Sequence, residues 1–356
     1  MVNINHAELK EHLQIAYETK TPLFVWGGVG IGKSQTIKQV AQEIAKSKEL
    51  EFTENANDKE KFGFLDVRIS QLEPSDLRGL PIQDVKEGTT KWLFPNWLPR
   101  DEDSQGIIFF DELNLSPPSI QAVAYQLILD RRVGDYVLPN GWVIISAGNR
   151  MEDKCNVFDM SSALCNRFIH AELDIPTVEN WSEWAMKHNI DGNIIAFLNF
   201  KSDTLYKIGD KNKDKAFPTP RSWAFCSRLI KGRKDKKQVE QLIGSSVGEG
   251  TAKEFVAFLR LQTKIDLDNI FKEPKQVKKI EEIDLKYVLI GTVAERYRAD
   301  KKLFEKILPL CDHLEAEFSI LLLRFLKNTD EAHFRKSITN SKKGVDLLKS
   351  YADILS

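Results

Sequence analysis

A chain of 356 residues exceeds one ordinary domain, so two or three units are expected, together large enough to bury a sizeable core. Its 51 Lys+Arg against 52 Asp+Glu exclude a protein that relies on an overall positive field to hold nucleic acid, and leave only a local basic groove open. Cys155, Cys165, Cys226 and Cys311 lack C-x-x-C spacing, which suggests neither a zinc site nor a disulfide framework. With no apolar leader in MVNINHAELKEHLQ and no long apolar window, a cytoplasmic protein without membrane insertion is expected.

His6 to Glu18 places Ala7, Leu9, Leu13, Ile15, Ala16 and Tyr17 at helical spacing, a short amphipathic helix. Pro22 to Trp26 (PLFVW) reads as a buried strand. It leads into Gly27 to Ser34, GGVGIGKS, which fits G-x-x-x-x-G-K-[ST] at every position, and then into Gln35 to Lys46, a helical pattern. Strand, glycine-rich loop and helix is the P-loop order. Glycines let the backbone wrap an oxyanion so that successive N–H groups point inward at the mouth of a helix. Lys33 would then reach the β- and γ-phosphates and Ser34 would offer a hydroxyl to Mg²⁺. The candidate nucleotide contacts are Gly27, Gly28, Val29, Gly30, Ile31, Gly32, Lys33, Ser34 and Gln35.

A polar stretch, Ser47 to Lys61, precedes a second strand, Phe62 to Ile69. Leu72 to Pro99 is dense in turn signals and reads as an inserted hairpin or loop. Gly106 to Phe110 (GIIFF), closed by Asp111 and Glu112, has the form of a central parallel strand with carboxylates at its C-terminal end. Pro117 to Leu129 is a helix with its proline start signal. Val133 to Leu138, the Asn140-Gly141 turn signal and Trp142 to Ser146 read as a hairpin feeding another buried strand. From Trp181 the strand signal fades, and Ile194 to Phe200, Arg221 to Ile230, Gln238 to Ile243 and Thr251 to Ile265 suggest helices. The lysine-rich stretches Lys207 to Lys215 and Lys231 to Lys237 read as solvated connections. Asp284 to Leu355 is helical in pattern, with Phe318 to Leu323 expected in the core.

The carboxylate pair narrows the chemistry. Asp111 at a strand end is placed to hold Mg²⁺ through water, opposite Ser34. Glu112 can polarise a water that attacks the γ-phosphate, so hydrolysis is favoured over transfer to a substrate. The six histidines, among them His6 and His170, show no metal-ligand spacing and read as surface or packing residues.

The run DELNLSPPSIQAVAYQLILDRRV resembles the Walker B motif and following helix of MoxR-type AAA+ ATPases. ISAGN, ending at Asn149, resembles sensor 1; ALCNRF, with Arg167, resembles the arginine-finger segment; FPTPRSW, with Arg221, resembles sensor 2. With the P-loop these make five motifs in the family's order, covering Pro22 to Trp223. The resemblance implies that Asn149 bonds the γ-phosphate or the attacking water, and that Arg167 and Arg221 supply charge to the phosphate oxygens, Arg167 across a subunit boundary and Arg221 in cis or in trans. Arg150 is a rival finger. Leu72 to Pro99 matches the clade's helix-2 insert and Val133 to Trp142 its pre-sensor hairpin, projections that couple nucleotide state to a client; Trp92, Phe94 and Trp97 either form an exposed contact or pin the insert. Val29 stands where the family usually has Pro, and Ser34 where Thr is commoner.

The expected fold is therefore α/β, a P-loop AAA+ core with a parallel sheet over 1–178, then an α-helical lid over 179–265 and a C-terminal helical accessory region over 266–356. The resemblance implies an ATPase using ATP and Mg²⁺ in a homo-oligomer, a hexameric ring, that remodels, assembles or activates a partner complex. The implied partners are a von Willebrand factor A domain protein and a protein client. A motor acting on DNA or RNA is the alternative, weakened because the hairpin offers only Arg131 and Arg132 at its base. A nucleotide-dependent scaffold without hydrolysis is a third reading.

Overall fold

A computed structural model describes residues 1–150, 158–208, 215–233 and 235–350, apart from the side chain of Leu348. Cys155, the middle of the lysine-rich stretch after Lys207, and the end of the last predicted helix lie outside the described residues. The chain divides into two compact units, Met1–Ile175 and Pro176–Ser356.

The first unit is built on seven parallel strands. They are β1 (Val2–Ile4), β2 (Leu23–Gly27), β3 (Glu51–Thr53), β4 (Lys61–Arg68), β7 (Gln105–Asp111), β10 (Gly141–Gly148) and β11 (Ile169–Leu173), in the spatial order β1-β11-β2-β10-β7-β4-β3. Between them lie the helices α1 (His6–Thr19), α2 (Lys33–Ser47), α3 (Pro74–Arg78), α4 (Pro118–Asp130) and α5 (Ser162–Cys165). Among the described residues the unit also holds two small antiparallel hairpins, β5 (Leu80–Asp84) with β6 (Thr89–Leu93) and β8 (Arg132–Val133) with β9 (Tyr136–Val137).

The central strands are buried along nearly their whole length, as an all-parallel sheet covered by helices requires. Phe24, Ile108, Phe110 and Ile144 project from alternate strand positions into one apolar cluster with Ile120, Ala124 and Leu127 of α4. Helices α1 and α2 pack on each other, α2 against β3, β4 and β7 and α1 against β10 and β11. Helix α1 begins where Asn5 and Glu8 form a reciprocal capping box, and α4 begins at the Pro117-Pro118 pair.

Because β2 lies between β11 and β10, the chain leaves it in one direction along the sheet and returns on its other side only with β11. Ligands of open parallel sheets bind outside the carboxyl ends of the strands at such a switch point. The loop that follows β2 is Gly28 to Gly32.

The expected strands at Pro22–Trp26, Phe62–Ile69, Gly106–Phe110 and Trp142–Ser146 are present, each shifted by a residue or two. The hairpin before β10 is shorter than the sequence suggests. Its turn is Gly134-Asp135, with Gly134 at φ +57°, whereas Asn140-Gly141 merely opens β10. The segment 72–99 is the predicted insertion, with α3 leading into the β5–β6 hairpin.

The second unit is helical throughout its described residues. Its apolar core runs continuously from Trp181 to Leu347, so residues on both sides of position 265 share it, and Phe318, Leu322 and Leu323 are buried there as predicted. The helix Ile283–Ala299 approaches Gly192–Phe200 closely because small residues face each other: a Cβ on Gly291 would lie 2.9 Å from that of Ala196. Glu295 Oε1 fastens this crossing by accepting from the Gly192 amide at 2.6 Å and from Arg298 Nη1 at 2.9 Å. Among the described residues no helix is long and apolar enough to cross a membrane.

Candidate nucleotide site

The C-terminal edge of the sheet gathers the ends of β2, β7 and β10. Gly27 takes φ +153°, Gly30 +73° and Gly32 +106°, values that favour glycine and bend the chain sharply between β2 and α2. A Cβ on Gly27 would come within 2.8 Å of Ile31 Cδ1 and 3.0 Å of the Leu173 carbonyl. Gly32 stands at the N-cap of the fifteen-residue α2, and no side chain caps it. The first-turn N–H groups of such a helix have no intrahelical acceptors and carry the positive end of its dipole, which makes them donors for an anion.

Lys33 is buried, and its Nζ donates to the carbonyls of Gly27 at 2.7 Å and Gly28 at 2.9 Å and to Asn149 Oδ1 at 3.0 Å. Ser34 Oγ donates to Asp111 Oδ2 at 3.1 Å. Residues from three separated stretches therefore meet through side-chain hydrogen bonds. Gln35 is exposed one residue further along α2, and Val29 is half-buried in the loop.

Glu112 has left-handed backbone, φ +58°, unusual for a residue with a side chain. Its amide donates to Asp111 Oδ1 at 3.0 Å, and its Oε2 accepts from Ser70 Oγ at 3.2 Å. Ser70, in the turn after β4, is a contact that sequence reading missed; one serine in an ordinary turn carries no signal. Asn114 is another. It is buried after Glu112, and its Nδ2 donates to the Asn149 carbonyl at 2.8 Å, tying the segment after β7 to the end of β10.

The outlying candidates are arranged differently. Arg167 precedes β11, and its Nη2 donates to the Tyr125 hydroxyl of α4 at 3.3 Å. The β11–β2 register sets Ile169 beside Leu23 and Leu173 beside Gly27, so Arg167 emerges at the edge opposite the phosphate loop. Four residues of strand separate these edges by roughly 13 Å. Arg150 pairs with Glu172 at 3.1 Å. Arg221 belongs to the second unit, exposed in the first turn of Pro220–Ile230, where Thr219 and Ser222 form the cap.

Two histidines read as surface or packing residues also make specific polar contacts. His6 Nε2 donates to the Ile31 carbonyl at 2.9 Å and so braces the phosphate loop from α1. Burial, joined by Lys10, pulls its imidazole below the usual range against the opposing pull of that carbonyl. His170 bonds Trp26 and the Cys165 carbonyl.

The insert aromatics are pins. The Trp92 amide donates to Asp135 Oδ2 at 3.1 Å, Arg78 lies 4.6 Å over the Trp92 ring, Phe94 meets Tyr136 at 5.3 Å, and Trp97 Nε1 donates to the Asp76 carbonyl at 3.0 Å. The apolar chains the hairpin exposes are Leu80, Ile82, Val85 and Leu93.

The chain is similar in structure to a candidate ATPase from Cytophaga hutchinsonii, at 15% identity and TM-score 0.35 over 70% of this chain and 79% of the other. It is also similar to NtrX from Brucella abortus, at 14% identity and TM-score 0.34 over 69% of this chain and 50% of the other. A third is a single-residue mutant of RuvB from Thermotoga maritima, at 14% identity and TM-score 0.35 over 77% of this chain and 73% of the other. No protein-family model matches the sequence, and no curated protein does.

The α/β architecture rests on the chain's own sheet, with a P-loop sequence at the carboxyl end of an inner strand and a helical second unit. The donor set there, with loop amides, an ammonium, a hydroxyl and a carboxylate, suits a phosphate chain and a hard cation such as Mg²⁺.

Proposed function

We propose that the chain is an ATPase of the AAA+ class, of MoxR type, hydrolysing ATP to ADP and phosphate with Mg²⁺. The observation that carries this reading is the meeting of Lys33 with Asn149 and of Ser34 with Asp111 beside the glycine loop. Loop amides from Gly28 to Ser34 would receive the phosphates, with Gln35 following on α2, and Lys33 would bridge the terminal ones. Ser34 and Asp111 would hold Mg²⁺, which when bound neutralises charge on the phosphate oxygens. Glu112 would accept the proton of the attacking water, and Asn149 would orient that water or the γ-phosphate.

Arg167, at the far edge of its own sheet, is suited to a neighbour's site rather than its own, which supports a homo-oligomer, read as a hexameric ring. Arg221 would act from the lid, residues 179–265, with 266–356 as its helical extension. The work done is the remodelling or activation of a partner complex in the cytoplasm, with a von Willebrand factor A domain protein as partner. The exposed apolar side chains of the β5–β6 hairpin, Leu80, Ile82, Val85 and Leu93, would meet the client. A nucleic-acid motor is less well supported, because Arg131 is engaged by the carbonyls of Pro139 at 2.8 Å and Trp142 at 3.0 Å.

Glu112→Gln tests the reading. ATP affinity should stay within about threefold while turnover falls by about a hundredfold or more, measured by nucleotide titration and phosphate release. Undiminished turnover would remove Glu112 from the role.

A further inference from the structure

Strand β11 joins the two edges of the sheet, one of its faces carries His170 and Glu172 at alternate positions, and Phe168 immediately precedes it. Trp26, the residue before Gly27, donates from Nε1 to His170 Nδ1 at 2.9 Å. An indole N–H only donates, so Nδ1 is an acceptor and the ring proton of the neutral imidazole lies on Nε2. That nitrogen donates to the Cys165 carbonyl at 2.8 Å. Cys165 closes α5 and opens the turn that bears Arg167: the Phe168 amide returns to the same carbonyl at 3.2 Å, and the Arg167 amide bonds the Leu164 carbonyl at 3.1 Å. The His170 ring is also wedged by Trp26 at 6.1 Å and Phe168 at 6.2 Å between centroids.

We infer that His170 is a positioning residue for Arg167, fixing the turn that presents the guanidinium by bridging it to the strand that enters the phosphate loop. The inference rests on the reading of Arg167 as a finger acting in trans. Both hydrogen bonds of the imidazole are used, and each has one chemically permitted direction, so the ring is held in one tautomer and orientation. The Arg167 side chain is held separately by Tyr125 on α4, the helix that follows Glu112. Backbone and head of the finger are thus anchored to two elements that each begin or end at the nucleotide edge. A guanidinium acting on a transferring phosphoryl group is sensitive to small displacements, since misplacement of about 1 Å can cost about a hundredfold in rate.

The test compares His170→Phe, Trp26→Phe and Arg167→Ala full-length chains, each alone and mixed with Glu112→Gln subunits. His170→Phe keeps a ring of similar size but neither hydrogen bond. Its Kd for ADP and KM for ATP should stay within about twofold while kcat falls about tenfold. Mixing should relieve the loss, because Glu112→Gln subunits lend an intact finger to the intact Glu112 of their neighbours. His170→Gln, which retains an amide donor for the Cys165 carbonyl, should recover part of kcat. Trp26→Phe should lower kcat less, and adding it to His170→Phe should cost nothing further, since the two share one interaction.

The inference is overturned if His170→Phe leaves kcat unchanged, if it weakens ADP binding instead, or if mixing relieves Arg167→Ala but not His170→Phe. Should mixing fail to relieve Arg167→Ala itself, the trans-finger reading falls first.

Discussion

The two edges of the parallel sheet serve opposite purposes, and β7 and β10 take part in both. At the carboxyl edge, β2, β7 and β10 end in Gly27, Asp111 and Gly148, and side chains with polar heads converge on one another: Lys33 on Asn149, Ser34 on Asp111. At the amino edge, β4, β7 and β10 place Gly63, Gly106 and Trp142 side by side in register. There the Trp142 indole lies across the two glycines and donates from Nε1 to Ser104 Oγ at 3.0 Å. Glycine serves both edges for different reasons. In the loop it supplies backbone angles, whereas at Gly63 and Gly106 it supplies empty space. A Cβ on Gly63 would lie 2.3 Å from Trp142 Cη2, and one on Gly106 would lie 2.2 Å from the Gly63 carbonyl. If the proposed site is right, β7 and β10 carry chemistry at one end and packing at the other, and substitutions at the two ends should separate activity from stability.

The largest separation is expected at Lys33. Lys33→Ala removes the ammonium that would face the phosphates, and ATP affinity should fall by about a hundredfold or more, while Tm in the absence of nucleotide moves by a few degrees at most. Affinity within threefold of the wild type would break the assignment of this edge. At the other edge, Gly106→Ala forces a methyl group into backbone and should cost about 2–3 kcal/mol of stability, read as a lower denaturant midpoint. The fraction that remains folded should bind ATP with wild-type affinity. A variant that kept its stability but lost nucleotide binding would erase the distinction between the edges.

How much of this was legible in the sequence follows the same division. The phosphate loop is contiguous, so its glycines, Lys33 and Ser34 can be read without knowing any neighbour. Asp111, Glu112 and Asn149 follow strongly apolar runs, and a strand end is visible whenever the strand is. Strands β1, β3 and β11 were missed because three to five residues, with His170 and Glu172 alternating in β11, carry too little apolar pattern to stand out. Their pairing with neighbouring strands makes them, as tertiary context overrides weak local preference. The row of Gly63, Gly106 and Trp142 joins residues separated by dozens of positions, and only strand order brings them together. His6, Ser70, Asn114 and Tyr125 belong to the same class: each is an ordinary residue until the fold gives it Ile31, Glu112, Asn149 or Arg167 as a partner. For Trp92, Phe94 and Trp97 the sequence supplied two readings, and the ring contacts to Arg78 and Tyr136 and the Trp97 bond to Asp76 favour the pinning one.

The smallest expected effect lies between the edges' two functions, at Ser70. Its hydroxyl donates to Glu112 Oε2 at 3.2 Å, a long bond to a carboxylate whose backbone is already held in an unfavourable left-handed conformation. A bond of this kind to a charged group contributes about 1 kcal/mol when partly solvated, which corresponds to about fivefold in rate if it is needed to aim the carboxylate. Ser70→Ala should therefore lower kcat about fivefold with KM for ATP unchanged, because its hydroxyl bonds Glu112, placed as the base, and not a phosphate-binding group. Ser70→Thr restores the hydroxyl and should restore most of kcat. A rise in KM alongside the fall in kcat would mean that Ser70 acts on substrate binding instead. A Ser70→Ala variant faster than the wild type would mean that the bond holds Glu112 away from its water, making the turn after β4 a brake on the carboxyl edge rather than part of its aim.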